Sequence, residues 1–375
     1  MRSEISLSLH PISPTSTTLI RPIQHVQGLV HGTQLPGGFW SCSFILPTSE
    51  SDFLDWRQNR MLHRLLIREQ GGQVIWEGRL EIIELLDFWT ARLGFFGYWS
   101  NFTDARFETA SGEFITYTDT ANNIVIDFRD THIHADTLQL STANGDIASP
   151  GVTLTLDFGR DISLWEAIEQ LLRYGDSNDD PVDLMIYEDQ KIILKARAPT
   201  AVKWTSPLRF VGRFAPRVDW KDTANALNVA YESAGTVLRT GYTTDVNSIG
   251  RYIRRELHIP NIGTSNLASA TARRATELEL RKEPQQQTDD ITLSQVFDDK
   301  GQPASLCRVR AGDVIRFPDF IPTTADAAGG TPTLDALRTF FITATECDHD
   351  RGQLRIRPDR DSQKLSRILA RRGIR

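Results

Sequence analysis

Residues 38–47, GFWSCSFILP, alternate as a half-buried strand does, with Trp40, Cys42, Phe44 and Leu46 sharing one face. The flanks repeat the theme. TLIRPIQHVQGLVHGTQLPGG (residues 18–38) leads in with strand patterning and turn signals. SDFLDWRQNRMLHRLLIRE (residues 51–69) starts with helical spacing through Phe53, Trp56 and Arg60, then changes to a strand. Gly71 and Gly72 turn the chain into QVIWEGRLEIIELL (residues 73–86), and FWTARLGFFGYW (residues 88–99) closes the block. Hairpin-rich, helix-poor organisation of this kind predicts a small barrel or sandwich over residues 1–100.

Residues 101–205 change character. NIVIDFRDTHIHADTLQL (residues 123–140) and VTLTLDFG (residues 152–159) read as strands. They precede a helix, ISLWEAIEQLLRYG, with Ser163 at its start, an apolar face of Leu164, Ile168, Leu171 and Leu172, and Gly175 as its stop. VDLMIYEDQKIILKAR (residues 182–197) reads as a hairpin turning at Asp189 and Gln190, so the block is a compact α+β unit.

Residues 206–375 return to strands, in ALNVAYESAG, GRYIRRELHIP, CRVRAGDVIRFPDF, RTFFITATECDHD and GQLRIRPD. One helix interrupts them, IGTSNLASATARRATELELR (residues 262–281). Thr264 and Ser265 offer caps, and Ala268, Ala272, Ala275 and Leu278 form a small-residue stripe able to approach a sheet closely. Arg273, Arg274, Glu277 and Arg281 lie off that stripe, where they are expected to face water. Residues 323–335 read as a loop, and residues 364–375 as a basic amphipathic tail.

The 375 residues suffice for two or three domains with hydrophobic cores, and 40% hydrophobic with 24% charged residues is ordinary globular composition. A net charge of −6 argues against a dedicated nucleic-acid binder. Cys42, Cys307 and Cys347 are scattered and odd in number, without C-x-x-C spacing, and are expected as buried free thiols rather than a disulfide framework or a zinc site. The start has no apolar core of signal-peptide length and no run reaches the ~20 apolar residues of a membrane span, so synthesis in the cytoplasm is expected.

No G-x-S-x-G, H-E-x-x-H, Walker-type or Rossmann glycine pattern occurs. RDTHIHAD places His132 and His134 on one face of a strand with Asp130 and Asp136 in register; no third and fourth metal ligand can be named, so two outward polar side chains are expected. Asp176, Asn178 and Asp180 have the spacing that opens an EF-hand loop, but Pro181 and Tyr187 stand where that loop needs Gly and Glu, which leaves a turn. The aromatic cluster Phe88, Trp89, Phe95, Phe96, Tyr98 and Trp99 reads as core or subunit interface before it reads as a sugar platform. No catalytic residue and no cofactor are expected.

GFWSCSFILP, VIWEGRL and ARLGFFGYWSNFTD together resemble the N-terminal region of phage and prophage tail baseplate-hub proteins, whose parts also occur in gene transfer agents and related tail-like systems. SLWEAIEQLLRYGDSNDDP with LMIYEDQKIILKAR resembles their middle domain, and NALNVAYESAG through FFITATECDHDRGQLRIRPD their second barrel. The resemblance implies a mainly β fold with α+β parts: tube-type β-barrels at 1–100 and 206–375, each with a packed helix, and an α+β domain at 101–205. It places residues 262–281 on the flank of the second barrel. The chain lacks the long C-terminal extension that carries a hydrolase or fibre in longer relatives, so no enzyme activity is expected.

The function implied is a structural hub at the tail tip of a virion. Three chains would make a ring that adapts the tail tube to the tip and lets DNA pass through its lumen without specific binding. Partners would be further copies of the chain, the tail tube, distal-tail, tape-measure and fibre or tip proteins. Trp40, Phe44, Trp76, Phe95, Phe96 and Trp99 are the expected assembly surface. A distal-tail ring and a host-glycan-binding tail protein are the alternatives.

Overall fold

The computed structural model describes the chain except residues 1–4, 13–18, 60–62, 108–113, 134–139, 142–146, 160, 198–200, 213, 215–216, 220, 262–265, 283–284, 288–289, 321–337 and 360–375. The first block contains β1 (Ile5–Pro11), β2 (Arg21–Ile23), β3 (Gln27–Gln34), β4 (Gly37–Pro47), α1 (Glu50–Asn59), β5 (His63–Glu69), β6 (Val74–Leu85) and β7 (Thr90–Phe96). The middle block adds α2 (Ser100–Asp104), β8 (Phe114–Thr120), α3 (Ala121–Asp127), β9 (Thr153–Gly159), α4 (Leu164–Leu171), β10 (Val182–Ile186) and β11 (Ile192–Ala196). The last block begins with β12 (Trp204–Thr205), β13 (Arg217–Asp219), β14 (Ala226–Ser233), β15 (Thr236–Arg239), β16 (Thr243–Thr244), α5 (Val246–Tyr252), β17 (Glu256–Ile259) and α6 (Leu267–Arg281). It ends with β18 (Gln285–Gln287), β19 (Ile291–Leu293), β20 (Val296–Phe297), β21 (Pro303–Ala304), β22 (Val314–Arg316), β23 (Thr339–Asp348) and β24 (Gln353–Pro358).

The fold is mainly β with α+β parts, as the sequence implies. Its first and last blocks are joined. The order β2-β1-β5-β6-β7-β4-β3-β23-β22-β12-β20-β21 forms one sheet, to which β24 and β19 add at β23. The joint is the antiparallel pair β3–β23, with Thr33 opposite Thr345 and His31 opposite Cys347. One hydrophobic core runs beneath it, from Phe44, Trp76 and Phe95 to Phe317, Ile342 and Leu354. Gly32 is required at this joint, because a Cβ there would stand 2.6 Å from the Thr345 carbonyl oxygen. Helix α1 docks on the first block through Trp56, whose ring also receives the Arg21 guanidinium at 4.7 Å.

The middle block has its own core around Phe107, Phe128, Phe158, Leu164 and Leu184. Helix α4 starts where the sequence predicts, with Ser163 and Glu166 forming a reciprocal capping box. The hairpin β10–β11 turns at Asp189 and Gln190, both at positive φ. Residues 123–132, expected as part of a strand, are instead helical: α3 continues into a π-turn at Phe128–His132. Ile124, Val125 and Phe128 are buried there together, a helical spacing that overrides the apparent alternation of Ile124, Ile126 and Phe128.

Helix α6 departs from expectation in place and in orientation. It packs on β14, where Ala270 and Leu278 meet Leu227, Val229 and Tyr231, and on the middle block, rather than on the flank of the large sheet. Its buried face is polar. Ser269, Arg273, Thr276, Glu277 and Arg281 are buried while Leu267 and Ala268 are exposed. Partners across the joint explain the reversal: Thr276 donates to the Tyr174 carbonyl at 2.9 Å, and Ser269 accepts from the Thr155 amide at 2.9 Å. Asn266 caps the helix by accepting from the Ser269 amide at 2.8 Å; Thr264 and Ser265 lie outside the described residues.

Candidate functional site

Strand β4 carries a bulge. Cys42 pairs with His31 and Phe39 with Thr33, so three steps on β4 match two on β3. The extra residue turns Phe39 into the core and sends Trp40 to the opposite face, out of phase with Cys42 and Phe44. Trp40 stacks on Trp99 there, with ring centroids 3.9 Å apart and planes 7° from parallel, and Trp99 Nε1 donates to the Trp40 carbonyl at 3.1 Å. Trp165 completes the cluster at 5.5 Å from Trp99.

The six residues expected at an assembly surface therefore divide. Phe44, Trp76 and Phe95 are fully buried in the shared core, with Trp76 Nε1 donating to the Gly32 carbonyl at 3.1 Å, and have no surface to offer a neighbour. Trp40, Phe96 and Trp99 are half-buried between the first and middle blocks. Sequence alternation marked all six as apolar without saying which side of the wall each occupies. The exposed aromatics lie elsewhere, at the β6–β7 turn: Phe88 is 93% and Trp89 74% exposed, beside Leu85 and Leu86. The turn is braced by hydrogen bonds: Asp87 accepts from the Trp89 amide at 2.7 Å and Thr48 donates its amide to the Trp89 carbonyl at 2.9 Å.

The outward face of the joined sheet is a shallow concavity of about 420 Å³ lined from β3, β4, β6, β7, β23 and β24. Its uncharged lining includes the small residues Gly32, Ser41, Ser43, Gly94 and Ala344 alongside Trp40, Ile82 and Phe96. Its charged residues balance: Asp290 and Glu346 against Arg355 and Arg357. Asp290 pairs with Arg355 at 2.8 Å and with Arg357 at 3.3 Å. On the neighbouring strands Arg92 pairs with Glu84 at 2.8 Å. Such a face presents little net charge to a polyanion, because each cation is answered beside it.

Beneath the same joint lies the one group of three or more metal-ligating side chains found among the described residues: His31, Cys307, Cys347 and His349, whose ligand atoms all lie within 4.8 Å of one another. His31 comes from β3 and Cys347 from β23 directly opposite; His349 follows two residues on, and Cys307 sits in a single helical turn at Leu306–Arg308. Cys307 and Cys347 are joined by a disulfide with Cα atoms 5.8 Å apart, which corrects the expectation of three free thiols; Cys42 alone remains free and buried. Their separation by 40 residues hid the pairing from the sequence. Burial, helped by the neighbouring His349, holds the His31 imidazole well below its usual pKa, and burial pushes His349 down to about 4.

The other candidates hold no such group. His132 is buried in the π-turn rather than on a strand face, 2.9 Å from the Tyr117 hydroxyl, which in turn donates to Asp127 at 2.6 Å. Asp130 pairs with Arg129 at 2.6 Å; His134 and Asp136 lie outside the described residues. Asp176 closes a plain turn by accepting from the amides of Asn178 and Asp180 at 2.8 and 2.9 Å. The loop at 323–335 and the basic tail lie outside the described residues. Among those residues, no helix is long and apolar enough to cross a membrane.

No family model and no curated protein matches the sequence. Solved structures do resemble the fold. A tail protein from Neisseria meningitidis superposes with TM-score 0.58 over 95% of this chain and 97% of its own, at 11% identity. The 43 kDa tail protein of prophage MuSo2 from Shewanella oneidensis gives 0.57 over 95% and 98%, at 13% identity. Prophage tail protein gp18 from Listeria monocytogenes gives 0.58 over 99% and 98%, at 14% identity. Along nearly its whole length, the chain has the fold of these phage and prophage tail proteins.

Proposed function

We propose that the chain is a non-enzymatic structural subunit of a phage-like tail, a baseplate hub at the tail tip of a virion built in a bacterial cytoplasm. Three copies form a ring beneath the tail tube, using the first and last blocks (1–100 and 206–375) as tube-type barrel units and 101–205 as a bracket between them. The observation that carries this reading is the β3–β23 joint, which fuses strands from both ends of the chain into one concave wall. Two wall units per chain, three chains to a ring, match a sixfold tube. The balanced charges on that wall suit a lumen through which DNA slides, since each uncompensated phosphate contact would add affinity and friction.

The β6–β7 turn supplies the contact between subunits. Phe88 and Trp89 are large, rigid and almost fully exposed, the kind of side chain that anchors an interface. The tail tube, distal-tail, tape-measure and fibre or tip proteins would bind the rims of the ring. Native mass measurement and negative-stain images test this: a trimer and rings are expected, and a stable monomer with no ring in assembled particles would sink it. Phe88→Ser with Trp89→Ser is expected to shift the assembly toward monomer while changing fold stability by less than about 0.5 kcal/mol.

The same two side chains support a second reading, a tail protein that stacks its aromatics on a host surface glycan. A glycan array separates the two. Binding lost in the double variant, with oligomer state unchanged, would favour the glycan.

A further inference from the structure

The cluster beneath the β3–β23 joint has a chemistry that the hub reading does not use. We infer that, when Cys307 and Cys347 are reduced, their thiolates and the imidazoles of His31 and His349 form a four-coordinate zinc site that pins the first block to the last. Four features carry this. The donor set is two sulfurs and two nitrogens, the combination that tetrahedral zinc takes in closed structural sites. The donors already converge within 4.8 Å. A tetrahedron with Zn–S of about 2.3 Å and Zn–N of about 2.0–2.1 Å needs them about 3.3–3.8 Å apart, a shift of about 1 Å for the widest pairs.

The third feature is an orphan. His31 is 3% exposed, and neither of its ring nitrogens has a hydrogen-bond partner, although it lies in the cluster. A buried imidazole without a partner costs free energy that a ligated one recovers. His349 is positioned by backbone, its amide donating to the Leu29 carbonyl at 3.1 Å, and its ring lies 5.0 Å from that of His31. The fourth feature is charge: a dication with two thiolates and two neutral imidazoles sums to zero, so the filled site can stay buried among the apolar residues of the core.

The disulfide is the metal-free alternative of the same four residues. Reduction yields two thiols: a dithiol supplies two electrons and two protons and becomes a disulfide, whereas a phosphine supplies the two electrons and takes the oxygen of one water as its oxide, the two protons coming from that water. Zinc then displaces both thiol protons to solvent and bonds to the two sulfurs. No other group is consumed. Because His31 belongs to β3 whereas Cys347 lies on β23, His349 just after it and Cys307 in the turn at Leu306–Arg308, the ion would cross-link segments about three hundred residues apart in sequence.

The test uses the full chain, purified metal-free, with one portion reduced by a phosphine and one left oxidised. Cobalt(II) is the probe, read by its visible tetrahedral bands and its near-ultraviolet thiolate band, followed by displacement with zinc. The reduced chain is expected to take up one ion with both signatures and the oxidised chain none. Cys42→Ser should bind as the parent does, the double variant Cys307→Ser with Cys347→Ser should lose the thiolate signature, and His31→Gln should weaken binding at least about tenfold. Circular dichroism of the reduced apo chain checks that it stays folded, and the oxidised parent serves as the folded control if a variant does not. No uptake by the folded reduced chain, equal uptake by the oxidised chain, or a thiolate band that survives loss of both Cys307 and Cys347 would each overturn the site.

Discussion

Two of the long-range seams in the molecule are built on opposite principles. Where β3 meets β23, apolar side chains from both ends of the chain merge into one core and the backbone ladder is continuous. Where α6 meets the middle block, the interface is buried and polar: Arg173, Arg273, Glu277 and Arg281 lie together, joined by Thr276 to the Tyr174 carbonyl. Apolar burial stabilises in proportion to area and tolerates small shifts. A buried charge network is tied to one geometry and contributes little or negative net free energy, because desolvation opposes the Coulombic gain. The first seam joins the two ends of the chain by apolar burial, and the second holds α6 against the middle block by specific polar contacts.

Cutting the apolar seam should have the largest effect. Trp76→Ala removes a fully buried ring and its bond to the Gly32 carbonyl, and is expected to cost about 4 kcal/mol in denaturant unfolding. A loss below about 1 kcal/mol would mean the two blocks do not share a core. At the polar seam, Glu277→Ala strips the counter-charge from Arg281, 2.9 Å away, and from the neighbouring Arg173 and Arg273. It should cost about 3 kcal/mol. Arg173 shows the strain in that network, since burial, with Arg273 beside it, pushes it down to about 10.

The pH dependence sharpens the contrast further. Glu77 lies between the first and middle blocks, accepting from the Gln190 amide at 3.1 Å, and burial pushes its carboxyl up to about 7 against the opposing pull of Arg64. Its folded pKa lies above the unfolded value, so its contribution is complete below about pH 4.5 and is lost as the pH rises to 7. Stability should fall by about 2–3 kcal/mol across that window, and Glu77→Gln should flatten the decline. The smallest effect is expected for Arg273→Met. Arg273 is 1% exposed with Nε and one Nη unpartnered, so exchanging it for an apolar chain of similar length should change stability by about 1 kcal/mol or less, in either direction. A loss of several kcal/mol would show that its charge is what holds α6.

The difference between the seams also separates what sequence could reveal from what it could not. The hairpins of the first block, the helix start at Ser163 and the turn at Asp189 and Gln190 were legible because each depends on neighbours within a few residues. Trp40 was misplaced by a bulge of one residue, which leaves no compositional trace. The stripe of α6 was read in part, since Leu278 is buried, but Ser269, Arg273, Thr276, Glu277 and Arg281 are buried beside it because the partner offers a carbonyl, an amide and an arginine. The cysteine–histidine cluster was invisible for a different reason. Residues 31, 307, 347 and 349 carry no local spacing, and only the register of β3 on β23 brings them together.

The joint between β3 and β23 also imposes a schedule. Thr33 waits for Thr345, 312 residues later in the chain, before its strand acquires a partner on that edge. At a synthesis rate of about 5–20 residues per second, that interval lasts roughly 15 to 60 s. During it the amino-terminal sheet stands on the ribosome with an open edge able to pair with a neighbouring nascent chain. A shared wall thus couples assembly to translation: the subunit is finished only when its last long strand closes the first block, and the cell must keep such half-built edges apart until then.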